Sequence, residues 1–94
     1  MAEFFARVEL HDAKSSDYDT LHEKMDKAGF YRFVLDPNPA NKHMYLPTGS
    51  YICYTAGTIG AVAQKVREIA NSVKYLNKVY CAKVAEDCRF FDNF

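Results

Sequence analysis

Residues 4–11 read Phe-Phe-Ala-Arg-Val-Glu-Leu-His, and this stretch narrows the possible folds more than any other. Phe4, Ala6, Val8 and Leu10 alternate with Phe5, Arg7, Glu9 and His11. A side-chain period of two is that of a strand with one buried face. The first set is wholly apolar; the second carries Arg, Glu and His. The expected structure is a central strand with its apolar face under two helices and its other face looking outward.

The remaining elements follow from local pattern. Ser15, Ser16 and Asp17 offer cap oxygens for a helix over about residues 17–28. Tyr18, Leu21, His22, Met25 and Ala28 fall on one helical stripe, and Gly29 ends it. His22, at the edge of that stripe, reads as a packed histidine rather than a ligand. Residues 30–35 form an aromatic, branched strand. The turn cluster of residues 36–41 holds Pro37 and Pro39, and residues 42–46 return as the second arm of a hairpin. Pro47-Thr48-Gly49-Ser50 interrupts the extended chain. Residues 51–56 carry no charge, which suits a strand in mid-sheet beside the first.

Thr58 is the expected cap of a second helix, with Ile59, Val62, Ala63, Val66, Ile69, Ala70 and Val73 as its apolar stripe. Residues 78–85 are the last strand. Phe90, Phe91 and Phe94 crowd the tail and are expected to pack on the domain or on a second copy. The order β-α-β-β-α-β is that of an α+β, ferredoxin-like sandwich: an antiparallel sheet with two helices on one face. Residues 1–94 are expected to form one domain. Many functions use this fold, so architecture alone names none.

Composition excludes some classes. With 12 basic and 12 acidic residues the formal charge is zero, so tight non-specific nucleic-acid binding is not expected. A local basic face stays open. No signal peptide is expected, since residue 3 is Glu and no apolar core follows. No apolar run approaches the about 18 residues of a membrane span. Cys53, Cys81 and Cys88 are odd in number and lack CxxC spacing, as reduced thiols of a cytosolic protein would be. There is no GxGxxG, P-loop, HExxH or zinc spacing, and His11, His22 and His43 stand far apart.

Two groupings carry chemistry. Glu9 and His11 point the same way from a strand, and Asp12 follows in the loop. A carboxylate beside an imidazole suits general acid–base work on an RNA 2′-hydroxyl, and Glu9 with Asp12 suits a divalent metal. The same three residues also suit an ordinary solvated strand end. The second grouping is Arg7, Arg32, Lys42, His43, Tyr45 and Tyr51. Arginines for phosphates and rings for base stacking are what an RNA site on a sheet requires, with Phe5 and Tyr51 on the open face. A homodimer interface or plain cross-strand packing is the alternative use, and a dimer groove reconciles the two.

Four stretches form a shared pattern: Phe4-x-x-x-Val8-Glu9-Leu10, Ser15-Ser16-Asp17-Tyr18, Gly29-Phe30 and Leu46-Pro47-Thr48-Gly49-Ser50-Tyr51. On these residues the chain resembles the GhoS family of small antitoxin endoribonucleases. The likeness covers nearly the whole chain as pattern and spacing. The resemblance implies a ferredoxin-like fold related to the small CRISPR-associated spacer-acquisition nuclease. It also implies a cytosolic bacterial or phage protein that cuts single-stranded messenger RNA, as the antitoxin of a type V system. Related nucleases carry an acidic residue near the end of strand one, where Glu9 and Asp12 stand here. Two other functions remain open from the residues: a protein-binding module, such as a phage or mobile-element inhibitor of a host defence complex, and a small-molecule-sensing dimer. Neutral charge and abundant Tyr and Phe suit a protein interface.

Overall fold

The structure, a computed structural model, describes residues 2–35 and 43–85, with backbone alone at 34–35 and 43–45. The elements are β1 (Ala2–Leu10), α1 (Ser15–Lys27), β2 (Phe33–Leu35), β3 (His43–Tyr45), β4 (Ser50–Thr55), α2 (Ile59–Val73) and β5 (Asn77–Val84). They form the expected ferredoxin-like α+β sandwich. β1 lies between β4 and β5 and is antiparallel to both. Its alternation is realised as burial: Phe4, Ala6 and Val8 are 1% exposed and Leu10 is 5% exposed. Arg7, Glu9 and His11 on the other face are exposed, and Phe5 is half-buried. Leu21 and Met25 of α1 and Val62, Val66 and Ala70 of α2 complete the core over the apolar face. The uncharged β4 sits beside β1, as its composition suggests.

The stretch expected as one strand over residues 30–35 is divided. Tyr31 makes a lone antiparallel bridge to Ile52 at the far side of β4. The chain then leaves the sheet, and β2 pairs with β3 as a separate hairpin, Phe33 opposite Tyr45 and Leu35 opposite His43. The hairpin itself was expected. A partner close in sequence satisfies the backbone groups of β2, so they do not need β4.

Local chemistry fixes both helices. Lys14, not a serine, stands at the cap of α1, and its N–H donates to Asp17 Oδ2 at 2.9 Å. Asp17 therefore acts from inside the first turn, which is why the helix starts at Ser15. At the other end Gly29 takes φ +88°. Gly29 N–H donates to the Asp26 carbonyl at 3.0 Å and Phe30 N–H to the Met25 carbonyl at 2.9 Å. These are the paired bonds of a Schellman end, with Met25 and Phe30 both buried beside it. In α2 the Thr58 hydroxyl accepts from Ala61 N–H at 3.2 Å, as expected of the cap. Ile59 does not join the buried stripe; it is 41% exposed, in the first turn ahead of Val62.

Pro47–Ser50 is a turn closed by Ser50 N–H on the Pro47 carbonyl at 3.0 Å. Gly49, its third residue, has φ +86°, a geometry that favours glycine. Gly49 also approaches β1, its carbonyl accepting from Val8 N–H at 2.7 Å. Cys53 and Cys81 are free thiols on the two strands that flank β1. Two strand spacings, about 10 Å, separate them, too far for a disulfide. Burial pushes both thiols up in pKa. Among the described residues no helix is long and apolar enough to cross a membrane. The turn cluster of residues 36–41, Lys42, Cys88 and the aromatic tail lie outside the described residues.

A test of this turn compares two glycines. Gly29→Ala meets no atom within 4 Å, so it costs only the positive-φ penalty of about 1–2 kcal/mol. In Gly49→Ala the methyl would also stand 2.5 Å from the Val8 carbonyl oxygen. Urea unfolding should show the larger loss for Gly49→Ala; equal losses would contradict the close approach of the turn to β1.

Candidate functional site

The register of the sheet decides which side chains share the open face. From β1 this face takes Phe5, Arg7, Glu9 and His11. Opposite them, β5 supplies Ala82 beside Phe5, Tyr80 beside Arg7 and Lys78 beside Glu9. On the other side β4 supplies Ile52 beside Phe5, Ser50 beside Arg7 and Tyr54 beside Glu3. Tyr31 extends the Phe5–Ile52 row through its bridge. Tyr80 is 66% exposed, and Tyr54 and Tyr31 are exposed as well. The face thus presents several aromatic rings with Arg7 and Lys78 among them.

At one end of this face Glu9 and His11 line a single cleft of about 300 Å³ with Leu76, Asn77 and Lys78. Strand geometry brings them together: β1 continues past Leu10, and His11 N–H donates to the Leu76 carbonyl at 2.9 Å. Asn77 anchors the start of β5, its amide donating to Asn71 Oδ1 at 3.0 Å and to the Lys74 carbonyl at 2.7 Å. Asp12 is exposed in the following turn at φ +50° and does not line the cleft. Among the described residues no group of three or more His, Cys, Asp or Glu side chains is placed to hold a metal ion.

The second grouping is dispersed. Arg7 is on the open face, where its guanidinium donates to the Thr48 carbonyl at 2.9 Å and to Ser50 Oγ at 3.2 Å. It braces the Pro47–Ser50 turn. Arg32 lies elsewhere, lining a cleft with Asp19, His22, Glu23, Asp26 and Phe33 beside α1. His43 and Tyr45 belong to the β2–β3 hairpin.

Tyr51 corrects the expectation. It stands opposite Ala6, so it points under the helices, and it is 0% exposed. A position assigned to the open face is a core position because the register pairs Ile52, not Tyr51, with Phe5. No base can reach Tyr51 there. Its hydroxyl instead meets His22 Nδ1 at 2.6 Å. Tyr18 lies next in the same row of rings, and its hydroxyl accepts from Leu10 N–H at 3.0 Å. His22 is therefore packed, as its place on the stripe suggests. Burial, and then Arg32, lower its pKa; burial raises that of Tyr51. Both shifts fit a phenol that donates to a neutral imidazole.

Four of the face residues, Tyr31, Tyr54, Lys78 and Tyr80, were not among the sequence candidates. Alternation in residues 78–85 separates Tyr80 from Val79 and Cys81, which was the available signal. Which β1 residue each faces depends on register, which alternation does not give. No protein-family model, no curated protein and no solved structure matches this chain.

The burial of His22, with Arg32 nearby, makes stability depend on pH. A lowered folded-state pKa means that the unfolded chain takes up a proton first, near 6.5. The stabilisation is complete above that value and is lost as pH falls through it toward the lower folded-state value. Melting temperature should therefore fall between pH 7 and pH 5, and fall less in His22→Gln, which cannot titrate. Equal falls in the two proteins would contradict the assignment.

Proposed function

We propose that the chain is an endoribonuclease of the GhoS antitoxin type, which binds single-stranded RNA along the open face and cuts it at the Glu9–His11 cleft. The observation that carries this reading is that Glu9 and His11 line one cleft, at the end of a sheet face bearing Phe5, Tyr80 and Tyr54. Bases of an unpaired strand stack on such rings, at about 1–3 kcal/mol each. Unpaired bases are also the part of RNA that a sheet surface reads best.

A carboxylate and an imidazole supply the two proton transfers of cleavage through the 2′-hydroxyl. Glu9 takes the 2′-hydroxyl proton, and that oxygen attacks the adjacent phosphorus. The bond from phosphorus to the 5′-oxygen breaks, and the His11 imidazolium gives its proton to the leaving oxygen. The products are a 2′,3′-cyclic phosphate and a 5′-hydroxyl. Each proton transfer is of a kind that contributes about 10²–10⁴-fold. The substrate is messenger RNA, so the reading places the protein in the cytoplasm. Asp12 lies outside the cleft, so a divalent metal shared between Glu9 and Asp12, which the sequence suggested, is not part of this reading.

A second reading uses the same face to bind protein, either a host complex or a second copy of the chain. The balanced charge and the exposed tyrosines favour it. The two readings separate on one substrate. A nuclease-free preparation should cut a uridine- and adenine-containing single strand to a cyclic phosphate. Glu9→Gln and His11→Ala should each slow cutting by about 100-fold or more. Intact RNA after incubation with and without Mg²⁺ would overturn the nuclease. A dimer by sedimentation, abolished by Tyr80→Ala, would then support the protein interface.

A further inference from the structure

We propose that Lys78 is a third catalytic residue of the cleft, the group that takes up the charge developing on the scissile phosphate. The inference rests on the nuclease reading of Glu9 and His11 and adds a residue that the sequence pattern did not single out. Lys78 is directly opposite Glu9 in the β1–β5 ladder and lines the same cleft as His11. Side chains directly opposite in such a ladder start about 5 Å apart at Cβ. Both extend from the open face, so a phosphate held over Glu9 and His11 lies within reach of the Lys78 ammonium. Among the described residues no ion pair joins Lys78 to Glu9 or to any other carboxylate. Lys78 is exposed.

Transesterification needs such a group. As the 2′-oxygen bonds to phosphorus, negative charge grows on the two non-bridging oxygens. Glu9 and His11 move protons at the 2′- and 5′-oxygens and leave that charge unmatched. A cation fixed on a neighbouring strand stabilises it where it forms. Asn77 holds this strand in place next to Lys78 by its bonds to Asn71 and Lys74. Of the other cations on the open face, Arg7 is tied to the Pro47–Ser50 turn. Among the described residues Lys78 is the one lysine or arginine lining the cleft.

The test measures turnover and affinity separately on one RNA. Lys78→Ala should lower kcat for the cleavable strand by about 100-fold or more. Affinity for the same strand with a 2′-deoxy sugar at the cut site, which cannot react, should change by less than about 5-fold, and Lys78→Arg should recover part of the rate. A merely structural residue would instead lower the melting temperature and be indifferent to the charge of its replacement. If Lys78→Ala cuts like the unmodified protein while Glu9→Gln does not, the role of Lys78 falls and the site stands. If affinity falls as much as rate, Lys78 is an ordinary phosphate contact and the proposal is overturned. If the unmodified protein leaves the RNA intact, the cleft reading and this inference fall together.

Discussion

The whole structure depends on β1 being paired on both edges and roofed on one face. Phe4, Val8 and Leu10 are each buried, and a side chain of that size contributes about 1.5–3 kcal/mol on leaving water. The same burial fixes register. A slip of one residue would turn Arg7, Glu9 and His11 into the core and put the apolar set in water. The position of the open face, and hence of every candidate site residue on it, is set by packing on the opposite side.

Backbone pairing then determines what each edge of β1 can do. Toward β5 the ladder is continuous from Glu3 to Leu10 and is prolonged by His11 on Leu76. Toward β4 it stops at Arg7–Ser50, where Gly49 and the Tyr18 hydroxyl take over as acceptors for Val8 and Leu10. The cleft with Glu9 and His11 forms on the side where pairing persists. The side where it ends is sealed by a turn, and Arg7 holds that turn. Arg7 therefore has a structural task regardless of any ligand.

Much of this was legible in the sequence, for physical reasons that can be named. The period-two stretch gave β1, its faces and its central place. The helical stripes and Thr58 gave both helices, and Gly29 gave the end of α1. The coupling of Glu9 to His11 was legible because residues two apart on a strand share a face. What was not legible was long-range register. Tyr51 lies one residue from the position that faces outward, and that single step moved it from a proposed stacking residue to the partner of His22. Lys78 and Tyr80 were missed for the same reason. Residues 30–35 are divided between a bridge to β4 at Tyr31 and the hairpin from Phe33, and the aromatic residues on both sides of Arg32 gave no sign of where the chain would change partners. The Lys14 cap was hidden because Asp17 works backward from within the helix.

The two faces of the sheet thus differ, with a buried apolar interior under the helices and a polar, ring-bearing surface opposite. Amide and side-chain chemical shifts during titration with a short single-stranded RNA test this division directly. Shifts should concentrate on Phe5, Arg7, Glu9, His11, Lys78 and Tyr80, with Tyr18, Tyr51 and Val66 unmoved. Shifts confined to the helices, or no shifts at millimolar RNA, would contradict a nucleic-acid role for the open face.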